Sequence, residues 1–130
     1  MVNAGAITVT AMLHDAAGDG ARSLILDRLS EAAGRSLVVC EKVYHSEAET
    51  GDRNRAIGYL LRNVGAISGE CERVVDLYFR QCSILVTASD LARMGATLAN
   101  IGQNPVTSRQ VFSVSAVRDT LSVMFSCGMY

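Results

Sequence analysis

Apolar residues return at helical spacing along most of this chain. In AGAITVTAML, Ala4, Ile7, Met12 and their neighbours predict a first helix, with Asn3 placed to cap it. Beyond the GDG turn, ARSLILDRLSEAAG brings Leu24, Leu26, Leu29 and Ala32 near one face and stops at Gly34, a residue type favoured just past a helix end. SLVVCEKVYHSEAETG is different: its β-branched content suits an extended strand or an ordered loop, and it has no clean period. Asp52 is positioned to cap a helix through RNRAIGYLLRNVG, and CERVVDLYFRQCS follows with Val74, Val75, Tyr78 and Phe79 on an inward stripe. TASDLARMGATLANIG opens on Thr87 with Asp90 three residues later, the pattern of a capping box. NPVTSRQ supplies turn chemistry before SVSAVRDTLSVMFSCG, a last helix running from a Ser113 or Ser115 cap to Gly128. The fold expected is mainly α.

Composition changes that picture in one respect. With 130 residues, 49% hydrophobic and only 19% charged, the chain has little polar surface to cover a small isolated domain, so it is expected to bury surface against something else. Net charge is −1 with the basic residues scattered, which excludes the electrostatic footprint of nucleic-acid binding. No apolar run reaches the roughly 18–20 residues of a membrane span, and MVNAGAITVT has no signal-peptide pattern, so a cytoplasmic protein away from membranes is expected. Cys40, Cys71, Cys82 and Cys127 are far apart, with only His14 and His45 to accompany them. Neither a metal site nor a disulfide framework is indicated, and the four thiols are expected to be reduced, buried fillers.

Candidate chemistry concentrates in SEAETGDRN, where Glu47, Glu49 and Asp52 crowd together before Arg53 and Asn54. Glu47 and Glu49 at i, i+2 are no diagnostic acid–base pair; on the residues alone a solvated acidic turn accounts for them better, with ligand recognition as the alternative. Asn3 as a cap, Asn54 as a helix-start residue, Tyr78 as core and Tyr130 as a chain end are each ordinary when taken alone.

Together, NAGAITVTAML, SEAETGDRNRAIGYLL, DLYFRQCSILVTASDLARMGATLAN, NPVT and SCGMY occur in the order and approximate spacing of the glutaminase family, which the chain resembles over nearly its whole length. The resemblance implies the helical part of a β-lactamase-like α+β fold, with most of the antiparallel sheet outside this chain, so that residues 1–130 are one partial glutaminase domain. It implies hydrolysis of L-glutamine to L-glutamate and ammonia, with no cofactor, and allows a homo-oligomer of the complete enzyme. Carried over position by position, Asn3, Glu47, Asn54, Tyr78 and Tyr130 would line the glutamine pocket. An ionised Glu47 would suit the substrate ammonium, and Asn3 and Asn54 would offer amide donors to its carboxylate. Tyr78 and Tyr130 would assist proton transfer, the choice of base between them left open.

The family's nucleophile motif, S-x-x-K, does not occur in these residues: Lys42 is the single lysine, with Cys40 and no serine in position before it. The resemblance places that motif upstream of NAGAI and further sheet segments downstream of CGMY, so the chain is expected to be inactive alone. A part of a split enzyme and a non-catalytic amino-acid-binding or assembly module are the competing expectations. Two departures bear on the backbone: Ile101 stands where the family usually has Gly, and Ser108 falls in TSRQV, which replaces a TGER-like turn.

Overall fold

A computed structural model of the chain describes residues 2–127 and shows seven α-helices there: α1 Val2–Ala17, α2 Ala21–Ala33, α3 Glu41–Thr50, α4 Asp52–Asn63, α5 Cys71–Cys82, α6 Ala88–Ala99 and α7 Val114–Cys127. Among the described residues there is no strand, only two isolated antiparallel bridges, Val39 with Ile84 and Gln103 with Gln110. The mainly helical architecture is the one expected. The chain divides into two compact units, one running to Ile25 and resuming over Val38–Leu85, the other comprising Leu26–Leu37 and the residues from Val86 onward.

The first unit is built around α5. Cys71, Val74, Val75, Tyr78 and Phe79 recur at i, i+3, i+4, i+7 and i+8 and are all buried. Ile7 and Ala11 of α1, Ile57 of α4 and Ile67 close the same cluster. At Gly58 the helices α4 and α5 approach so closely that a Cβ would stand 2.8 Å from Cys71 Sγ and from Val75 Cγ2. α3 packs on α5 through Tyr44 and Ala48, which are half-buried against the cluster. The Tyr44 hydroxyl donates to Asp76, and the Arg80 guanidinium lies 3.9 Å from the centre of the Tyr44 ring.

Three expectations are corrected here. The segment read as strand or loop is mostly α3; the extended conformation is confined to its start, where Cys40 N–H donates to Ser83 O at 2.8 Å and Leu85 N–H to Val38 O at 2.9 Å. Val38 and Val39 carried the β-branched signal, whereas the Glu- and Ala-containing residues that follow are helix formers. Asp52 does not cap α4. Gly51 is the capping position, without a side-chain bond, and Asp52 is the first helical residue, paired with Arg55 at 3.3 Å. Of the four thiols only Cys71 is buried; Cys40 is half-buried, and Cys82 and Cys127 are exposed.

In the second unit, Thr87 and Asp90 form the expected capping box at the start of α6. Asp90 is 1% exposed and takes a bidentate pair from Arg35, with Nε to Oδ1 at 2.8 Å and Nη2 to Oδ2 at 2.5 Å. The guanidinium and the Thr87 bonds hold the Asp90 carboxyl far below the usual carboxylate range. Ile101 and Ser108 both adopt the left-handed region, at φ 57° and 58°, where an L side chain is strained. Asn104, fully buried, braces this irregular segment: its Nδ2 donates to Glu31 O and Ala32 O, and its Oδ1 accepts from Val106 and Thr107. Ser113 caps α7 in preference to Ser115, its Oγ accepting from Ala116 N–H at 3.2 Å. α7 buries Val117 but leaves Val114, Leu121, Val123, Met124 and Phe125 exposed, the last at 93%. Gly128 and Tyr130 lie outside the described residues.

Candidate functional site

Four of the five residues singled out in the sequence fall in the first unit, on four different helices. Each extends the stripe by which its helix meets the core. Asn3 precedes Ile7 and Ala11 on α1; Glu47 sits beside Ala48, one turn after Tyr44 on α3; Asn54 precedes Ile57 and Gly58 on α4; Tyr78 belongs to the α5 stripe itself. The same packing that buries the apolar residues therefore aims these polar ones inward.

Asn3 is not a cap. It lies inside α1, and its Nδ2 donates to Asn54 Oδ1 at 2.8 Å across 51 residues of sequence. That bond fixes the orientation of the Asn54 amide: with its oxygen engaged, its Nδ2 has no partner among the described residues. Asn54 N–H in turn donates to Gly51 O at 2.9 Å, which holds the residue in the first turn of α4. Glu47 is half-buried and makes no hydrogen bond or ion pair among the described residues. A carboxylate on α3 and an amide donor on α4 are thus left without partners among the described residues.

Tyr78 is 8% exposed. Burial first, then its interaction with the Cys82 sulfur and the charge of Glu47, push its phenol up to about 12. It keeps its proton at neutral pH. The Cys82 thiol is likewise raised, by partial desolvation of its sulfur within a residue that is exposed as a whole and by the charge of Glu47, against the opposing effect of Tyr78. Glu47, Tyr78 and Cys82 are accordingly within electrostatic reach of one another. Cys82 was not singled out in the sequence, although its place four residues after Tyr78 on α5 puts both on one face. Phe79 was read in the sequence only as part of the inward stripe and Arg55 was not singled out; the Arg55 guanidinium lies 5.4 Å from the Phe79 ring centre, a contact no local spacing signals. Tyr130 lies outside the described residues.

Elsewhere in the unit, a cavity of about 450 Å³ is lined by His14, Asp19, Arg22, Glu72, Arg73 and Asp76, none of which belongs to the candidate site. Several of its charges are already paired, Arg73 with Glu70 at 2.9 Å and Asp76 with Arg80 at 3.0 Å. No group of three metal-ligating side chains occurs among the described residues, and no helix there is long and apolar enough to cross a membrane.

A profile described as Glutaminase matches residues 1–130. The chain belongs to the glutaminase family. It is 58% identical over 130 residues to Glutaminase 1 of Bradyrhizobium diazoefficiens, covering 21% of that protein. With the glutaminase of Trichormus variabilis it shares 44% identity and covers 39% of the length. The crystal structure of Mglu in its glutamate form superposes with a TM-score of 0.91 at 38% identity, over 98% of this chain and 30% of that one. The chain thus spans between about a fifth and two fifths of the length of these glutaminases, and its helices are the helical part of the β-lactamase-like glutaminase fold.

Proposed function

We propose that this chain, as a partial glutaminase domain, supplies one wall of the substrate pocket of an enzyme that hydrolyses L-glutamine to L-glutamate and ammonia. The observation that carries the reading is the Asn3–Asn54 bond, which orients the Asn54 amide, together with a Glu47 carboxylate on the preceding helix that has no partner among the described residues. Glu47 receives the α-ammonium through a charge-assisted bond. Asn54, oriented by Asn3, donates to the α-carboxylate. Binding the two ends of the amino acid leaves its side-chain amide as the part free to react, and the identities of the related glutaminases support glutamine as that amino acid.

The reaction itself needs a nucleophile these residues do not include. A serine from an S-x-x-K segment attacks the amide carbon, the C–N bond breaks as ammonia leaves with a proton, and water then cleaves the acyl-enzyme to glutamate. Tyr78, protonated at neutral pH, donates toward the reacting groups, and Tyr130 is the second candidate for proton transfer.

Titration of the chain with L-glutamine, followed by 15N–1H spectra, tests the pocket. The Asn3 and Asn54 side-chain amides are expected to shift, and Glu47→Gln is expected to weaken binding by about tenfold, since a charged partner becomes neutral. Ammonia release is expected only when a separately made S-x-x-K segment is added. Turnover by the chain alone, or unaltered glutamine binding in Glu47→Gln, would overturn the reading; binding with no turnover in any complemented form would favour an amino-acid-binding module.

A further inference from the structure

Gly51 is the single residue between α3 and α4. Its carbonyl accepts from Asn54 N–H at 2.9 Å and from Arg55 N–H at 3.1 Å, so it both closes one helix and opens the next. It is buried, yet its φ of −81° is one that any residue adopts. Backbone conformation does not demand glycine here. Space does: a Cβ would lie 2.2 Å from Phe79 Cζ, 2.7 Å from Phe79 Cε1 and 2.5 Å from the Glu47 carbonyl oxygen, all far inside van der Waals contact.

Neither neighbour can yield freely. The Phe79 ring is 1% exposed, and Arg55 lies over its face while donating from Nη2 to Ala48 O at 2.5 Å, which ties the end of α3 to α4. The other neighbour is backbone, and it is the backbone of Glu47 itself. A methyl at position 51 must therefore move the ring or the end of α3, and either movement changes where Glu47 stands relative to Asn54.

We propose that Gly51 is a positioning residue of the candidate site: lacking a Cβ, it lets the Phe79 ring seat against the α3–α4 junction, and ring and junction together set the Glu47 carboxylate relative to the Asn54 amide. The inference rests on the pocket reading above only for its consequence in binding. Its geometric content stands without a ligand.

The test compares Gly51→Ala, Gly51→Ala with Phe79→Leu, and Val74→Ala in the 130-residue chain. Val74 is fully buried in the same core, and its truncation removes packing without pushing on the junction. In ligand-free 15N–1H spectra, Gly51→Ala is expected to shift the Glu47 and Asn54 signals and to lose the Asn3–Asn54 side-chain contact. Val74→Ala is expected to lower the unfolding midpoint and keep that contact. Glutamine affinity falls by about tenfold or more in Gly51→Ala, as expected when a contact group is displaced, and stays at the wild-type value in Val74→Ala. Phe79→Leu removes the atoms at 2.2 and 2.7 Å but leaves the Glu47 carbonyl contact, so the double variant recovers only part of the loss. Should Gly51→Ala not fold, the double variant carries the test through that residual displacement. Wild-type Glu47 and Asn54 signals in Gly51→Ala, or in the double variant in its place, would overturn the proposal, as would an equal loss of affinity in Val74→Ala. Absence of any glutamine response in the unsubstituted chain overturns the pocket reading alone, because the displacement is read without ligand.

Discussion

The first unit fills its interior mainly with apolar side chains from packed helices, Ile7, Val74, Val75 and Phe79 among them, its buried Thr10 and Ser83 each bonding a helix carbonyl one turn back, whereas the second buries Asp90, Thr97 and Asn104 alongside apolar residues such as Ala32, Ala33, Leu37 and Val111. The difference follows from the backbone. In the first unit nearly all inward segments are helical, so their peptide groups are satisfied internally and the core can be apolar. In the second, the irregular run from Asn100 to Phe112 has only the isolated Gln103–Gln110 bridge, and the buried Asn104 side chain serves two of its peptide groups, Val106 and Thr107 N–H, and two α2 carbonyls, Glu31 and Ala32. Where helices satisfy the backbone, polar side chains are released for other work. Asn54 Nδ2 and the Glu47 carboxylate, both without partners among the described residues, are in the first unit.

The largest effects should separate the two units most sharply. Phe79→Ala is expected to cost about 3–5 kcal/mol through the cavity it leaves, with little dependence on pH. Arg35→Met is expected to lower the thermal midpoint by roughly 10 °C, because it strands a buried carboxylate. Its pH dependence is the discriminating feature. Asp90 is held below its ordinary value in the folded chain, so the stability it contributes is present above the unfolded pKa of about 4 and is lost as pH falls toward the folded value. Wild-type stability should decline along that acid slope, and Arg35→Met should flatten it, as urea midpoints taken between pH 7 and pH 2 would record. An identical acid slope in both would break the contrast.

A smaller effect is expected from Asn104→Ala, about 2–3 kcal/mol by urea unfolding, since a fully buried side chain that bonds four peptide groups, the buried Ala32 carbonyl among them, is lost. A loss below that of an exposed substitution would remove Asn104 from its bracing role. The smallest change should have the opposite sign. Ile101 at φ 57° carries left-handed strain of about 1–2 kcal/mol, so Ile101→Gly should gain up to about 1 kcal/mol after the added freedom of the unfolded glycine is subtracted. Destabilisation by that substitution would mean the exposed Ile101 side chain makes a contact that outweighs the strain.

Helix existence was legible wherever apolar spacing was uninterrupted, as in α5, and wherever a local side-chain pattern announced a helix start, as Thr87 and Asp90 do for α6. It was not legible in α3. There the inward stripe runs Tyr44, Glu47, Ala48 and on to Gly51, and a charged residue on that stripe erases the period a reader looks for. The same substitution of polar for apolar made Asn3 read as a cap when it is an interior helical residue bonded to Asn54. Two of the failures thus fall at residues proposed to bind substrate, whereas those at Asp52 and at the exposed thiols do not.

Order along the chain determined by itself that Asn3, SEAETGDRN and Tyr78 resemble a glutaminase, and that Ile101 and Ser108 occupy positions where a glycine is usual. Those are statements about residue identity, which sequence carries in full. That Asn3 meets Asn54, that the charge of Glu47, without a partner among the described residues, reaches Tyr78, and that Gly51 is glycine for want of space were decided by tertiary packing alone. Each depends on a distance between helices far apart in sequence, and such distances are set by how whole side-chain surfaces interlock, which no local spacing encodes.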